Sequence, residues 1–131
     1  MAHFAEIDSD NVVLGVSVVR NEDILDSDGN EDESIGVSFL QRLFGGNWVQ
    51  TSYSASFRNE YASMNGTYDS VNDVFISEKT FPEWVLDENY RWVAPTSPPD
   101  DGNHYWWSED LSDWEQIPTD ELPPALRPTS P

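Results

Sequence analysis

The hydrophobic positions change their spacing three times along the chain. His3 to Ile7 alternates and predicts a short strand. Asp8-Ser9-Asp10-Asn11 predicts a turn, because Asp and Asn side chains bond nearby backbone and tolerate left-handed conformations. Val12 to Val19 is β-branched and nearly continuous, which predicts the second strand of a hairpin, buried on both faces. Asn21 to Glu33 is acidic and glycine-punctuated, and is expected to be a loop. Ile35, Phe39, Leu40, Leu43 and Phe44 then recur every three or four residues, so a helix with one apolar stripe is expected over Ser34 to Phe44. Glu31, Asp32 and Glu33 favour its N-terminus, and Gly45-Gly46 supplies a left-handed stop. Trp48 to Tyr53 predicts a further strand. Ser54 to Thr67 is irregular, with Phe57 and Tyr61 as its expected anchors. Tyr68 to Phe75 predicts a second hairpin turning at Ser70 to Asp73. The pattern is that of an α+β fold: a small, mainly antiparallel β domain with one packed helix.

From Phe81-Pro82 onward the spacing is set by aromatic pairs. All nine prolines and five of the six tryptophans lie from Pro82 to Pro131. Leu86 to Trp92 predicts a hairpin with Asp87-Glu88-Asn89 at its tip and Asn89 in a left-handed position. Ala94 to Asp101 is a linker of proline, serine and acid. Tyr105 to Trp114 predicts another hairpin. Its loop runs Glu109 to Ser112, since Leu111 is unsuited to a left-handed slot, and this register sets Trp107 opposite Trp114. Ile7 to Val12 is a fainter copy of the same aromatic–turn–aromatic pattern, which turn chemistry alone generates. The expected organisation is a compact domain over 1–77, a Trp/Pro-rich β-hairpin arm over 78–117 and a flexible tail over 118–131.

Composition narrows what such a chain does. With 131 residues it forms one domain with an appendage, and a core of that size is marginal unless docking or self-association adds to it. The formal net charge is −19, from 25 acids against six bases. Direct binding to nucleic-acid backbone or to an anionic membrane surface is therefore not expected. The chain has no cysteine, so disulfides and cysteine-based zinc sites are absent. Neither a secretory signal nor a membrane span is expected from the residue pattern.

Candidate chemistry is sparse. Asp26, Asp28, Asn30 and Asp32 alternate as the oxygen ligands of a calcium loop do, but Gly29 precedes the third ligand and Val37 stands where the closing Glu belongs. A solvated acidic loop before a helix explains the same residues. His3 and His104 are far apart, no phosphate loop or nucleophile motif is present, and no pair of acids stands out among 25. Neither catalysis nor a cofactor is expected. Trp84, Trp92, Tyr105, Trp106, Trp107 and Trp114 are the candidate partner-binding residues, because aromatics carry binding energy at interfaces. The competing readings are that they close the hairpins or stack on sugar rings. Trp106, left facing away from the Trp107–Trp114 pair, is the one most expected to touch a partner.

Several blocks carry a resemblance. Met1 to Asp8, Asn11-Val12-Val13 with the strand to Val19, and Ile35-Gly36-Val37 are the first. Leu43-Phe44-Gly45-Gly46, Trp48-Val49-Gln50-Thr51-Ser52-Tyr53 and Thr67-Tyr68-Asp69 follow, then Phe81 to Asp87, Trp92 and Asp101-Gly102. Together they resemble a small uncharacterised protein family of marine tailed phages, cyanophages included, from Met1 to about Glu115. Members often carry a cysteine in the helix, where this chain has Leu40 nearby and no cysteine. The resemblance implies a virion component, supplies no mechanism and carries no catalytic residues across. It sets the expectation of a non-enzymatic virion protein, a capsid decoration or cement protein whose partners are capsid or tail proteins or its own copies. The alternatives are a tail or tail-fibre protein, an acidic DNA mimic and a host-glycan-binding module.

Overall fold

A computed structural model describes residues 1–128. The chain is α+β, with one α-helix and four small antiparallel sheets among the described residues. β1 (Ala2–Ile7), β2 (Val13–Val19) and β3 (Asn47–Thr51) form a sheet in the order β2-β1-β3. The central strand is therefore β1, and β2 lies at an edge. Only Val13 and Val19 of β2 are buried, while Leu14 and Val18 are exposed. This corrects the expectation of a second strand buried on both faces. The third strand adds to β1, so β1 gains the second neighbour that the valine run had suggested for β2.

Side chains alternate across β1, and each face of the strand has its own core. Ala2 and Phe4 pack with Val19, Ile24, Leu40 and Trp48 beneath α1 (Glu33–Phe44). Ala5 and Ile7 pack with Val13, Ala62 and Phe75 beneath a hairpin of β4 (Thr67–Asp69) and β5 (Val74–Ile76). Ala62 is the buried hydrophobic residue of the irregular segment, and its N–H donates to Thr51 Oγ1 at 2.9 Å. Phe57, expected as an anchor, is exposed, and Tyr61 is half-buried. The stretch expected to be only loop contains a 3-10 turn, Asn21–Ile24, which delivers the fully buried Ile24.

The helix begins where acid caps it: Asp32 Oδ1 accepts from the Ser34 N–H at 2.8 Å. It ends at Gly45, whose φ is 69°. Its buried side keeps only part of the predicted stripe: Leu40 is buried and Phe39 packs against the core. Gly36 and Leu40 face the sheet, while Leu43 and Phe44 are exposed. The reason is a close approach between helix and strand. A Cβ placed on Gly36 would stand 2.3 Å from Phe4 Cζ and 3.0 Å from Ile24 Cγ2. Phe4 is itself fully buried and cannot give way. Gly36→Ala is thus expected to destabilise the fold by about 1–3 kcal/mol through overpacking, despite the higher helix propensity of alanine. A thermal melt checks this, and an unchanged or raised midpoint would refute the close-approach argument.

The hairpins show the predicted registers: Tyr68 faces Phe75, Leu86 faces Trp92 and Trp107 faces Trp114. The faint copy is shifted, with Ile7 opposite Val13 across a bulge. At the third hairpin the left-handed residue is Tyr90 (φ 59°), not Asn89, because Asp87 Oδ1 accepts from both the Asn89 and Arg91 N–H groups and widens the loop. The last described segment, 118–128, contains two 3-10 turns and buries Leu122. The remainder of the expected flexible tail, 129–131, lies outside the described residues.

Candidate partner-binding site in the tryptophan hairpins

Short strands β6 (Val85–Leu86) and β7 (Trp92–Val93) form one hairpin, and β8 (Tyr105–Ser108) and β9 (Asp113–Gln116) the other. Alternation along β8 sends Trp107 inward and Trp106 outward. Trp107 meets Trp114 edge-on at 5.5 Å between ring centroids and meets Trp84 edge-on at 6.0 Å. Trp84 and Trp114 lie 6.4 Å apart, and Phe81 packs on Trp84 at 5.0 Å. Edge-to-face contacts of this kind set the positive ring edge against the negative face. Three of the six candidate residues, Trp84, Trp107 and Trp114, therefore join in one aromatic cluster that holds the two hairpins together. Ser112 adds a hydrogen bond from its hydroxyl to Glu83 Oε1, 3.0 Å, across the same junction.

The other three candidates stand apart from that cluster. Trp92 is tied to the compact domain: its indole N–H donates to the Ser77 carbonyl at 2.7 Å, and the Lys79 ammonium sits 5.4 Å from its ring centroid. Arg91 beside it pairs with Glu60 at 3.2 Å. Tyr105 donates its hydroxyl to Asp101 at 2.6 Å. That bond holds the Asp101 carboxyl below the usual carboxylate range and raises the Tyr105 hydroxyl. Trp106 is opposite Glu115 on the outer face, 39 % exposed, with its N–H 3.3 Å from the Glu115 carboxylate. The proline linker is fastened too, since the Trp114 indole N–H donates to the Thr96 carbonyl at 2.8 Å.

The acidic loop uses its side chains for turn geometry. Asp26 Oδ1 accepts from the N–H groups of Asp28 and Asn30, and Asp32 caps the helix. Among the described residues no group of three or more His, Cys, Asp or Glu is arranged to hold a metal ion.

Sequence reasoning missed a second polar centre. Arg58 makes a fork to Glu33, with Nη1 to Oε2 at 2.5 Å and Nη2 to Oε1 at 3.0 Å. Its Nε donates to Asp73 at 2.8 Å and its Nη1 to the Gln50 carbonyl at 2.8 Å. The Gln50 N–H donates to the same Glu33 carboxylate at 2.7 Å. One ion pair thus satisfies both backbone groups of a residue on the outer strand, which blunts that edge of the sheet. The bond to Glu33 strengthens the hold of Arg58 on its proton. The available signal was that Arg58 is the only base between Arg42 and Lys79 in a very acidic chain. No helix among the described residues is long and apolar enough to cross a membrane. Comparison with protein-family models, curated proteins and solved structures finds no match.

Proposed function

We propose that this chain is a non-enzymatic structural protein of a phage virion, a decoration protein that docks on the capsid shell. The observation that carries the reading is the presentation of Trp106. It stands outward on a hairpin whose opposite face is closed by Trp84, Trp107 and Trp114. A large aromatic on a preformed hairpin docks with little ordering entropy, which is how such residues become binding hot spots. The net charge of −19 keeps free copies apart before assembly, and the sequence resemblance supplies the phage setting.

Purified particles are the test. Mass spectrometry is expected to find the chain in many copies, and a particle reconstruction to show its density on the shell. Trp106→Ala should stay folded yet reduce particle occupancy by about tenfold or more, as loss of an interfacial hot spot does. Absence from particles, density on the tail alone, or unchanged occupancy of the variant would each overturn the corresponding part of the reading.

A further inference from the structure

The two edges of the β2-β1-β3 sheet are finished differently. On β3, the outward N–H and C=O of Gln50 are taken by Glu33 and Arg58. On β2, only the start of the edge is taken. Val13 donates to the Gly66 carbonyl at 2.8 Å and accepts from the Asn65 N–H at 3.0 Å. Asn65 is left-handed (φ 67°) and sits in a turn closed by the Gly66 N–H on the Ser63 carbonyl, so the pairing stops there. Beyond it the edge is open. Gln50 faces Phe4 and bonds outward, so Phe4 bonds Ser17 on its other side. Alternation then leaves the N–H and C=O of Val16 and Val18 pointing away from β1. No other backbone group among the described residues bonds these four. The strand carries neither charge nor proline, two common guards of an edge, and Leu14 and Val18 are exposed along it. Unpaired backbone groups flanked by apolar side chains receive an extended chain as an added strand.

Glu6 selects the charge of that chain. It stands opposite Gly15 in the register and so lies on the same face of the sheet. Its carboxylate pairs with no cation among the described residues. Gly15 has no side chain, and a Cβ built on it would meet nothing within 4 Å. A base on the added strand, placed opposite Gly15, therefore reaches toward Glu6 across the bare glycine. The net charge of −19 acts in the same sense and draws a basic segment to the edge.

The same residues disfavour a second copy of this chain. Pairing β2 with β2 brings two bodies of −19 together, and Val13–Val19 holds no base to answer Glu6. We infer that β2 receives an extended segment of another protein, with apolar residues opposite Val16 and Val18 and a Lys or Arg opposite Gly15. The backbone of Val16 and Val18 supplies the affinity, and the apolar and basic positions supply the choice of partner. This surface is separate from Trp106 and is independent of whether Trp106 docks on a particle.

The experiment titrates the intact chain with a capped peptide, Thr-Lys-Val-Thr-Val-Lys-Thr, whose flanking lysines serve either strand direction. Amide NMR shifts and hydrogen exchange provide the reading. One control peptide has both valine nitrogens methylated, and a second has glutamate in place of each lysine. The parent peptide is expected to saturate with Kd on the order of 1 mM, shifting and protecting the amides of Val16 and Val18. Both controls should bind at least about tenfold more weakly, one for lost backbone bonds and the other for reversed charge. Glu6→Gln should weaken the parent peptide by about threefold, the scale of an exposed ion pair. If the methylated peptide binds as tightly as the parent, no strand is added and the proposal fails. It fails equally if the parent does not saturate by roughly 10 mM. Equal binding of the glutamate peptide, or an unchanged Kd in Glu6→Gln, would overturn the choice of a basic segment. A dimer by sedimentation with Val16 and Val18 protected before any peptide is added would make the occupant a second copy and overturn the proposal.

Discussion

Arg58→Ala is expected to lower the unfolding free energy by about 3 kcal/mol, a large share of what holds a domain of this size together. The melting midpoint should fall by about 10 °C. The side chain is 18 % exposed and serves four groups at once: Glu33, Asp73, the Gln50 carbonyl and the face of Tyr68. Its removal leaves the Glu33 carboxylate without its cation and uncovers the edge of β3. Arg58→Lys keeps the charge but loses the planar fork, so it should give an intermediate loss. A change smaller than about 0.5 kcal/mol in the alanine variant would place this cluster among ordinary surface pairs and sink the argument.

The same cluster sets a pH dependence. Hydrogen bonds from the Tyr68 hydroxyl and then from Arg58 hold the Asp73 carboxyl below its usual range. A depressed folded value gives stability that is fully present above the ordinary carboxylate pKa, about 4, and is lost as pH falls through the folded value. Acid denaturation should therefore be less steep in Asp73→Asn than in the parent chain. At the other end, burial and then the bond to Asp73 raise the Tyr68 hydroxyl. That contribution is complete below about pH 10 and disappears as pH rises through the raised value.

The second large effect is local. Trp107→Ala is expected to remove about 3–5 kcal/mol from the two-hairpin arm, by emptying the space between Trp84 and Trp114. Such a loss exceeds what two hairpins of two- and four-residue strands can bear, so the arm should open while the compact domain stays folded. Among the described residues, the specific polar ties between the two are the Trp92–Ser77 bond and the Arg91–Glu60 pair, neither of which enters the β1 cores. Amide hydrogen exchange reads this directly. Protection should vanish in β6 to β9 and persist in β1 and β3. Arm amides as protected as before would mean that the tryptophan cluster does not hold the arm.

What the sequence revealed divides by the range of the interactions. The pairs Tyr68–Phe75, Leu86–Trp92 and Trp107–Trp114 were legible because local bonds set the turns between them, such as Asp69 to the Val71 and Asn72 N–H groups. The helix limits were legible from Asp32 and Gly45 in the same way. The choice of central strand was not, because β1 pairs with β3 only after the helix has intervened, and the valine run of β2 carries no mark of being an edge. Leu40 and Phe39 on the buried face of the helix were legible, but Gly36 was not, because its place there depends on Phe4 seating in the space it leaves. In the candidate site, the outward position of Trp106 followed from strand alternation. The meeting of Trp84 with Trp107 did not, since it joins separate hairpins. Arg58 was missed because its partners Glu33 and Asp73 belong to different elements.

The placement of β1 between two cores also orders events during synthesis. Its first core needs Leu40 and Trp48, and its second needs Ala62 and Phe75. At about 5–20 residues per second, the ribosome takes roughly 4–15 s to make the chain from β1 to the end of β5. Until that interval ends, the face of the strand that carries Ala5 and Ile7 lacks its core. The compact domain consequently closes from its earliest strand outward only after β5 has emerged, and a nascent chain stalled before Phe75 would expose one bare face of β1 to chaperones.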